Sequence, residues 1–347
     1  RLQESAWKAQ FFSGLIHPII NFISNIGYVA MTILGGWLAI NGRLKIGDIQ
    51  AFIQYVDQFN QPLVQVANIA NILQSTAAAA ERVFEFLDEP EEAIESNNLV
   101  KLSNVKGEVE FDNVVFGYKP DQTIIKGLSA HIKPGQRVAI VGPTGAGKTT
   151  LVNLLMRFYE INSGSIKIDG VDIRKMKRSD VRQMFGMVLQ DTWLFNGTIR
   201  QNLMYGNPKA TEEEMVKTAK EAHVDHFVRS LPGSYDMVLG EEAANISQGE
   251  KQLLTIARAM LEKAPMLILD EATSSVDTRT EVLIQKAMEK LMQGKTSFVI
   301  AHRLSTIRDA DLILVVKDGN IIEQGNHETL LKQNGFYAEL YNSQFAE

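Results

Sequence analysis

Charged residues are almost absent from the first part of the chain. The first 80 residues hold seven of them, and residues 9 to 42 contain no Asp, Glu, Lys or Arg. An uncharged segment of this length exceeds the roughly 20 residues that a helix needs to cross a bilayer. Gly, Pro and Asn interrupt it, which is acceptable in membrane helices that pack against one another. The pattern predicts a membrane helix over about 9–40; a buried helix of a soluble hairpin is the alternative.

The next segment, about 49–87, has the periodicity of an amphipathic helix. Side-chain amides recur at steps of three or four and share one face: Gln50, Gln54, Gln58, Gln61, Gln65, Asn68 and Asn71. Such a stripe would face a watery cavity in a membrane protein, and would be the solvated face of a soluble one. Asp57 lies on this face, either to attract a cation or as an ordinary solvated acid. We predict a partial transmembrane domain of two helices over residues 1–88.

From Glu81 onward charges are frequent and the hydrophobic pattern changes. Residues 89–104 are polar and contain Pro90, which predicts a linker. Val105 to Tyr118 alternates in polarity and carries β-forming residues, as strands do. We therefore predict a soluble α/β domain over residues 105–347.

A glycine-rich turn follows the apolar run Val138 to Val141. Its sequence, Gly142-Pro-Thr-Gly-Ala-Gly-Lys148-Thr149-Thr150, fits the phosphate-binding loop of nucleoside triphosphatases. Glycines allow successive backbone N–H groups to point at phosphate oxygens, and the following helix start favours an anion. Lys148 can reach the β- and γ-phosphates, and the Thr149 hydroxyl can hold Mg²⁺. The motif predicts a chain that binds a nucleoside triphosphate.

Two carboxylates close a second apolar run, Met266-Leu-Ile-Leu-Asp270-Glu271. A buried parallel strand has this composition, and ligands collect at the carboxyl ends of such strands. Asp270 is placed to help hold Mg²⁺, and Glu271 to accept a proton from an attacking water. Two exposed acids in a turn are the alternative.

Between these motifs, Ile246-Ser247-Gln248-Gly249-Glu250 precedes a helical run. Ser247 and Glu250 form a capping box, in which hydroxyl and carboxylate bind the free N–H groups of the first turn. By itself this predicts only a well-capped helix. A second helix start able to take an anion also raises the question of which phosphate it meets.

Composition narrows the class of protein. The net charge is −6, which gives no indication of a nucleic-acid partner. Cys is absent, so disulfides and cysteine catalysis are excluded and a reducing cytosol fits the soluble part. The chain begins with Arg1 instead of Met, and we expect it to be a fragment of a longer protein.

Taken together, these motifs resemble the nucleotide-binding domain of an ATP-binding cassette transporter of the exporter type, with residues 1–90 resembling the last two membrane helices of a half-transporter. The motifs of that family occur in order, as Tyr118, Gly142–Thr150, Gln190, Ile246–Glu250, Met266–Glu271, Ser274–Asp277 and His302. The resemblance implies a P-loop NTPase fold of class α/β: a RecA-like core, an antiparallel β subdomain and an α-helical signature subdomain, preceded by an all-α transmembrane segment.

The resemblance assigns ATP and Mg²⁺ as cofactors and gives each motif a role. It implies that Glu271, His302, Lys148 and Gln190 act in catalysis. It also implies that the metal is bound by Thr149, Gln190 and Asp270. It places the nucleotide against Tyr118, which stacks on adenine, and against the phosphate loop (Gly142, Thr144, Gly145, Ala146, Gly147, Lys148, Thr149, Thr150). Two such domains close head to tail in this family, so Ser247, Gln248, Gly249 and Asp277 are expected to meet the nucleotide held by a partner.

The segment Ile246–Glu250 is the counterpart of the family's signature motif, which usually reads Leu-Ser-Gly-Gly-Gln. Here Ile246, Gln248 and Glu250 replace the Leu, the first Gly and the Gln. Ala243 stands where the family usually has Gly, so contacts to membrane-domain loops are expected to differ there. Gln248 and the tail to Phe345 resemble the catalytically intact subunit of bacterial heterodimeric exporters, which favours a heterodimer over a homodimer.

The resulting prediction is a multi-pass protein of a bacterial cell membrane with a cytoplasmic ATPase domain, a second half-transporter subunit, and a small-molecule or lipid substrate. Nucleic acid is not an expected partner. The alternatives are a soluble cassette ATPase acting on nucleic acid or ribosomes, which would need a basic surface, and a phosphotransferase, which would not need Ser247 and Gly249.

Overall fold

The computed structural model of the chain describes residues 2–92, 94–95, 99–240, 243, 245–270, 276–301 and 304–344. The chain divides into two compact units, Arg1–Ile94 and Glu95–Glu347. The first unit consists of the helices α1 (Leu2–Ile40) and α2 (Ile46–Leu87).

The two helices of the first unit are joined by a short turn. The Asn41 backbone N–H closes α1 onto the Trp37 carbonyl at 3.2 Å, and Asp48 accepts the Lys45 backbone N–H at 2.9 Å where α2 begins. Among the described residues one segment, Asn21–Ile40, is long and apolar enough to cross a membrane by its length and composition. Within the described part of the chain α2, which carries the amide stripe, does not meet the same measure, so a second span stays a prediction.

Both faces of α2 are accessible in the single chain. The stripe amides Gln50, Gln54, Gln58, Gln61 and Gln65 are exposed, while the side chains of Asn68 and Asn71 lie outside the described part. Large apolar side chains opposite, such as Phe59 and Leu73, are also exposed. An apolar face left open in this way needs a covering of lipid or other protein.

The second unit mixes strands and helices. Its strands are β1 (Val109–Phe116), β2 (Ile125–Ile132), β3 (Arg137–Val141), β4 (Ser163–Ile168), β5 (Val171–Asp172), β6 (Phe185–Val188), β7 (Gly197–Thr198), β8 (Val238–Leu239), β9 (Met266–Asp270), β10 (Thr296–Ile300), β11 (Leu312–Lys317) and β12 (Asn320–Gly325). Its helices are α3 (Lys148–Leu155), α4 (Arg178–Gln183), α5 (Ile199–Met204), α6 (Glu212–Glu221), α7 (Asp225–Ser230), α8 (Gln248–Glu262), α9 (Thr278–Met292), α10 (Leu304–Arg308), α11 (His327–Gln333) and α12 (Phe336–Gln344).

A six-stranded sheet of order β12-β11-β3-β10-β9-β6 forms the centre of this unit. The pairs β11–β3, β3–β10, β10–β9 and β9–β6 are parallel. Parallel strands present their carboxyl ends at one edge of a sheet, where ligands collect. The carboxyl ends of β3, β6, β9 and β10 therefore lie at one edge of the sheet, and the predicted phosphate, metal and catalytic residues come at or after these ends in the sequence.

The inner strands β3, β9 and β10 of the central sheet are buried on both faces, whereas residues of the edge strand β12 alternate between exposed and partly buried. Along β9, Met266 and Ile268 pack into the core that contains α3, while Leu267 and Leu269 pack into the core of the helical region. Side chains of a strand alternate between faces, so a continuous apolar run is what such a strand requires. A separate antiparallel sheet has the order β2-β1-β4-β5. The predicted α/β fold, with an antiparallel β region and a helical region around α8, is confirmed.

Four charged side chains meet near the beginning of the second unit. Glu95 accepts the backbone N–H of Arg178 at 2.6 Å, and the Arg178 guanidinium also pairs with Glu160 at 3.1 Å. Glu160 in turn pairs with Arg157 at 2.9 Å. Arg157 and Arg178 are both buried, so hydrogen-bonded carboxylates are what makes their charge tolerable there. A backbone bond from Val100 to the Lys175 carbonyl, 2.7 Å, runs alongside.

Candidate functional site

The phosphate loop connects β3 to α3 at the carboxyl edge of the central sheet. Gly147, which caps α3, has φ +104°, a conformation that a side chain rarely adopts. The helix therefore begins at Lys148 with its free N–H groups turned toward the loop. A cleft of about 390 Å³ lies there, lined by Ile124, Thr144, Gly145, Gly147, Lys148, Thr149, Thr150, Gln190, Asp270 and Ile300.

Lys148 is held inside the loop that it follows. Its ammonium donates to the carbonyl oxygens of Gly142 at 2.7 Å and Pro143 at 3.0 Å. Partial burial lowers the pKa of Lys148, and the nearby Asp270 carboxylate opposes that shift. A lysine turned onto neutral carbonyls is ready to exchange them for the oxygens of an anion, which offers a stronger charge-assisted bond.

Oxygen donors approach the loop from two neighbouring strands. Asp270 ends β9, and Gln190 follows β6, the strand that pairs with β9. Both line the cleft together with Thr149. Carboxylate, amide and hydroxyl oxygens are ligands that Mg²⁺ accepts, so these three residues fit the predicted metal site.

The described residues contain no group of three or more His, Asp or Glu that could hold a metal ion by itself. In nucleotide-dependent enzymes Mg²⁺ is usually bound through one or two carboxylates plus substrate phosphates. Glu271, Ser274 and His302, predicted beside this edge of the sheet, lie outside the described residues.

Tyr118 lies beside the beginning of α3. Its hydroxyl is 3.3 Å from the Thr150 Oγ1, and 46% of the residue is exposed. The ring makes edge-to-face contacts with Phe116 and Tyr159 at centroid distances of 5.0 and 4.9 Å. The position fits the predicted stacking role, since an accessible aromatic ring lies next to Thr150, which lines the cleft.

The signature segment forms the capping box expected of it. The Ser247 hydroxyl accepts the Glu250 backbone N–H at 3.3 Å, and Glu250 accepts the Ser247 backbone N–H at 2.8 Å. Gln248 donates to the Thr192 hydroxyl at 3.1 Å, which ties α8 to the segment that contains Gln190. Ser247, Gln248 and Gly249 do not line the phosphate cleft of their own chain.

Gly249 is buried, and its environment explains why it lacks a side chain. A Cβ at this position would lie 2.5 Å from the Thr280 Cγ2 and 2.9 Å from the Val276 Cγ1. Asp277, between those two residues, caps α9 by accepting the backbone N–H groups of Arg279 at 3.1 Å and Thr280 at 3.0 Å. The signature helix and the Asp277 segment are therefore packed directly against each other.

Several residues of the site carry no signal in the sequence. Tyr159 contacts Tyr118 from a turn that no motif marks, and Thr192 meets Gln248 across more than fifty residues of chain. Ile124 and Ile300 line the cleft as ordinary apolar residues. Only the folded arrangement distinguishes them from other residues of their type.

Comparison with known proteins agrees with this geometry. Residues 125–274 match the ABC transporter family, and residues 1–63 match the ABC transporter transmembrane region. A fatty acid ABC transporter ATP-binding/permease protein of Mycobacterium bovis is 57% identical over 337 residues, covering 97% of this chain and 53% of the relative. An ATP-dependent lipid A-core flippase of Syntrophus aciditrophicus is 41% identical over 347 residues, covering 100% of this chain and 58% of the relative.

Among solved structures, a bacterial Atm1-family ABC exporter with ATP bound superimposes with a TM-score of 0.71 at 38% identity. That alignment covers 99% of this chain and 60% of the exporter chain. The chain thus spans a little over half the length of the relatives it matches. The transmembrane-region match falls in the first unit, and the ABC transporter match falls in the second. From these matches we conclude that the chain belongs to the ATP-binding cassette transporter family.

Proposed function

We propose that this chain hydrolyses ATP to drive export of a small molecule or lipid across a bacterial cell membrane, with its ATPase domain in the cytosol. The proposal rests on one observation: the same chain contains a transmembrane region and a nucleotide-binding cleft. Residues 1–63 match a transmembrane region, and the cleft at Lys148, Gln190 and Asp270 has the residues of a phosphate and Mg²⁺ site. A soluble cassette ATPase would not need a transmembrane region.

Lys148 and the backbone N–H groups at the start of α3 bind the β- and γ-phosphates in this proposal. Lys148 leaves the carbonyls of Gly142 and Pro143 and takes up phosphate oxygens. Thr149, Gln190 and Asp270 hold Mg²⁺, which when bound neutralises phosphate charge. Gln190 also orients the attacking water, Glu271 accepts its proton, and His302 contacts the γ-phosphate.

A second half-transporter completes each site. Ser247 and Gly249 do not line the cleft of their own chain, whereas the capped start of α8 is suited to an anion brought by a partner. We infer that two ATPase domains close head to tail, so that Ser247, Gln248, Gly249 and Asp277 of one contact the nucleotide of the other. The Gln248 variant of the signature favours a heterodimer over a homodimer.

The substrate is proposed only as a class. The two relatives described above are a fatty acid transporter and a lipid A-core flippase, and both of those substrates combine an apolar body with a polar end. The amphipathic α2, with exposed amides opposite exposed aromatic side chains, suits such a molecule. A small molecule or lipid of this character is the expected cargo.

The proposal is tested on the complete subunit, purified from membranes with its partner and reconstituted in lipid vesicles. Lys148→Ala should abolish ATP binding or hydrolysis, and Glu271→Gln should keep ATP binding but lose most turnover, trapping the closed dimer. Lys126→Ala, at an exposed position of β2, serves as the matched control and should keep wild-type turnover. Unchanged phosphate release in Lys148→Ala, or recovery of the protein without detergent, would contradict the proposed function.

A further inference from the structure

Tyr159 occupies an unusual position for a large aromatic residue. It is 46% exposed, so it contributes little to the hydrophobic core, yet its ring lies 4.9 Å from that of Tyr118 at an interplanar angle of 82°. Phe116 is within 5.7 Å of Tyr159 and 5.0 Å of Tyr118. Tyr118 thus meets both neighbours edge to face, in a geometry that aromatic pairs prefer, while Phe116 and Tyr159 are tilted at 51° to each other.

The backbone segments that carry Tyr118 and Tyr159 are joined at the end of β1. Asn162 donates its backbone N–H to the Val115 carbonyl at 2.9 Å and accepts the Gly117 backbone N–H on its side-chain oxygen at 2.8 Å. These bonds hold the turn after α3 against the end of β1. Tyr159 therefore has a defined place relative to Tyr118, although neither lies in a helix or strand.

The turn that delivers Tyr159 is itself anchored. Arg157 has φ +52° and is buried, with Nη1 donating to the carbonyls of Ile173 at 3.0 Å and Met176 at 2.7 Å. A reversal at this point directs the residues after it away from α3 and toward the end of β1. The anchored turn and the Asn162 bonds together hold the backbone on both sides of Tyr159.

We propose that Tyr159 is a positioning residue for nucleotide binding, which acts by holding the Tyr118 ring in the orientation that stacks on adenine. The inference rests on the proposed ATP-binding function and on the stacking role of Tyr118. Tyr118 lies in a loop, and an unrestrained ring would lose rotational freedom on binding. Two edge-to-face neighbours and the Thr150 hydroxyl remove that freedom beforehand, and such preorganisation increases affinity. The remaining exposed surface of Tyr118 is left for the base.

The experiment measures equilibrium dissociation constants of the full chain in detergent, for Mg-ATP and for Mg-tripolyphosphate, which has the phosphates but no base. Tyr159→Leu should raise the dissociation constant for ATP about three- to tenfold and leave that for tripolyphosphate unchanged. Tyr159→Phe keeps the ring and should stay within about twofold of wild type for both. Phe158→Leu is the matched control, because the neighbour of the Phe158 ring is the Arg182 guanidinium, whose Cζ lies 5.2 Å from the ring centroid.

A double variant separates positioning from direct contact. If Tyr159 acts through Tyr118, then Tyr118→Leu with Tyr159→Leu should bind ATP no more weakly than Tyr118→Leu alone. An unchanged ATP affinity in Tyr159→Leu, an equal loss for both ligands, or additive losses in the double variant would overturn the inference. A wild-type chain that binds neither ligand would instead contradict the proposed function.

Discussion

Replacing Gly249 by Ala tests whether the signature helix is shaped by packing inside its own chain. Ala in a helix interior stabilises a protein by up to about 1 kcal/mol relative to Gly, and Gly249, the second residue of α8, would gain at most that much. Here the added methyl would lie 2.5 Å from the Thr280 Cγ2 and 2.9 Å from the Val276 Cγ1. A 2.5 Å approach places this site toward the upper end of the cost of forced overpacking, about 2–3 kcal/mol, and subtracting the gain of about 1 kcal/mol leaves an expected net loss of about 1–2 kcal/mol.

The assay is the midpoint of thermal unfolding, measured without nucleotide. For a unit of this size 1 kcal/mol corresponds to about 2–4 °C, so Gly249→Ala should lower the midpoint by about 2–8 °C. Thr280→Ser removes the nearer methyl but keeps the hydroxyl that bonds Asp277. Combined with Gly249→Ala, it should recover much of the loss, whereas alone it should change the midpoint little.

Turnover of the same variants distinguishes packing from nucleotide contact. If Gly249 also lies against the phosphates of a partner, the double variant will regain its unfolding midpoint but not its ATPase activity. An unfolding midpoint that stays the same or rises in Gly249→Ala would refute the steric argument. Recovery of both properties would assign Gly249 to packing alone.

Two further predictions concern the helix caps of the same region. Ser247→Ala removes the hydroxyl that caps α8 and should cost about 1 kcal/mol, while Ser247→Thr should keep it; equal unfolding midpoints for wild type and Ser247→Ala would contradict the cap. Hydrogen bonds from the Thr280 backbone N–H, and then from its hydroxyl, lower the pKa of Asp277 below its ordinary 3.8. A depressed folded pKa stabilises the protein above the unfolded pKa, and this contribution is lost as the pH falls through the folded pKa. The unfolding midpoints of wild type and Asp277→Asn should therefore differ at pH 7 and converge as the pH falls from 3.8 through the lower folded pKa, whereas a constant difference would show that the charge is irrelevant.

The sequence was sufficient for the parts of the site that are local. The phosphate loop directly follows β3, and Asp270 is the last residue of β9. In each case the strand and the residues that bind the ligand are consecutive in the sequence. Parallel pairing then brings their ends to the same edge without further information. The capping box of Ser247 and Glu250 is local in the same way.

Contacts between distant segments could not be predicted. The packing of Gly249 against Thr280 and the contact of Tyr159 with Tyr118 depend on how separate elements meet, and neither pair has a spacing that marks it. The polar stripe of α2 illustrates the same limit. Its periodicity predicted a helix, which the structure shows as Ile46–Leu87, but periodicity alone does not decide between lipid, water and protein as the neighbour of each face.

The position of Glu95 has a practical consequence for anyone who isolates the ATPase domain. Truncation at Val105, where the strand pattern begins, would take away the carboxylate that accepts the Arg178 backbone N–H and the bond from Val100 to Lys175. The turn after α3 is linked to the same arginine through Glu160, so the damage would reach the neighbourhood of Tyr159 and the nucleotide cleft. An excised domain that retains Glu95 keeps these contacts. A shorter domain would bind ATP more weakly because it lacks them, although all of its nucleotide-binding motifs are present.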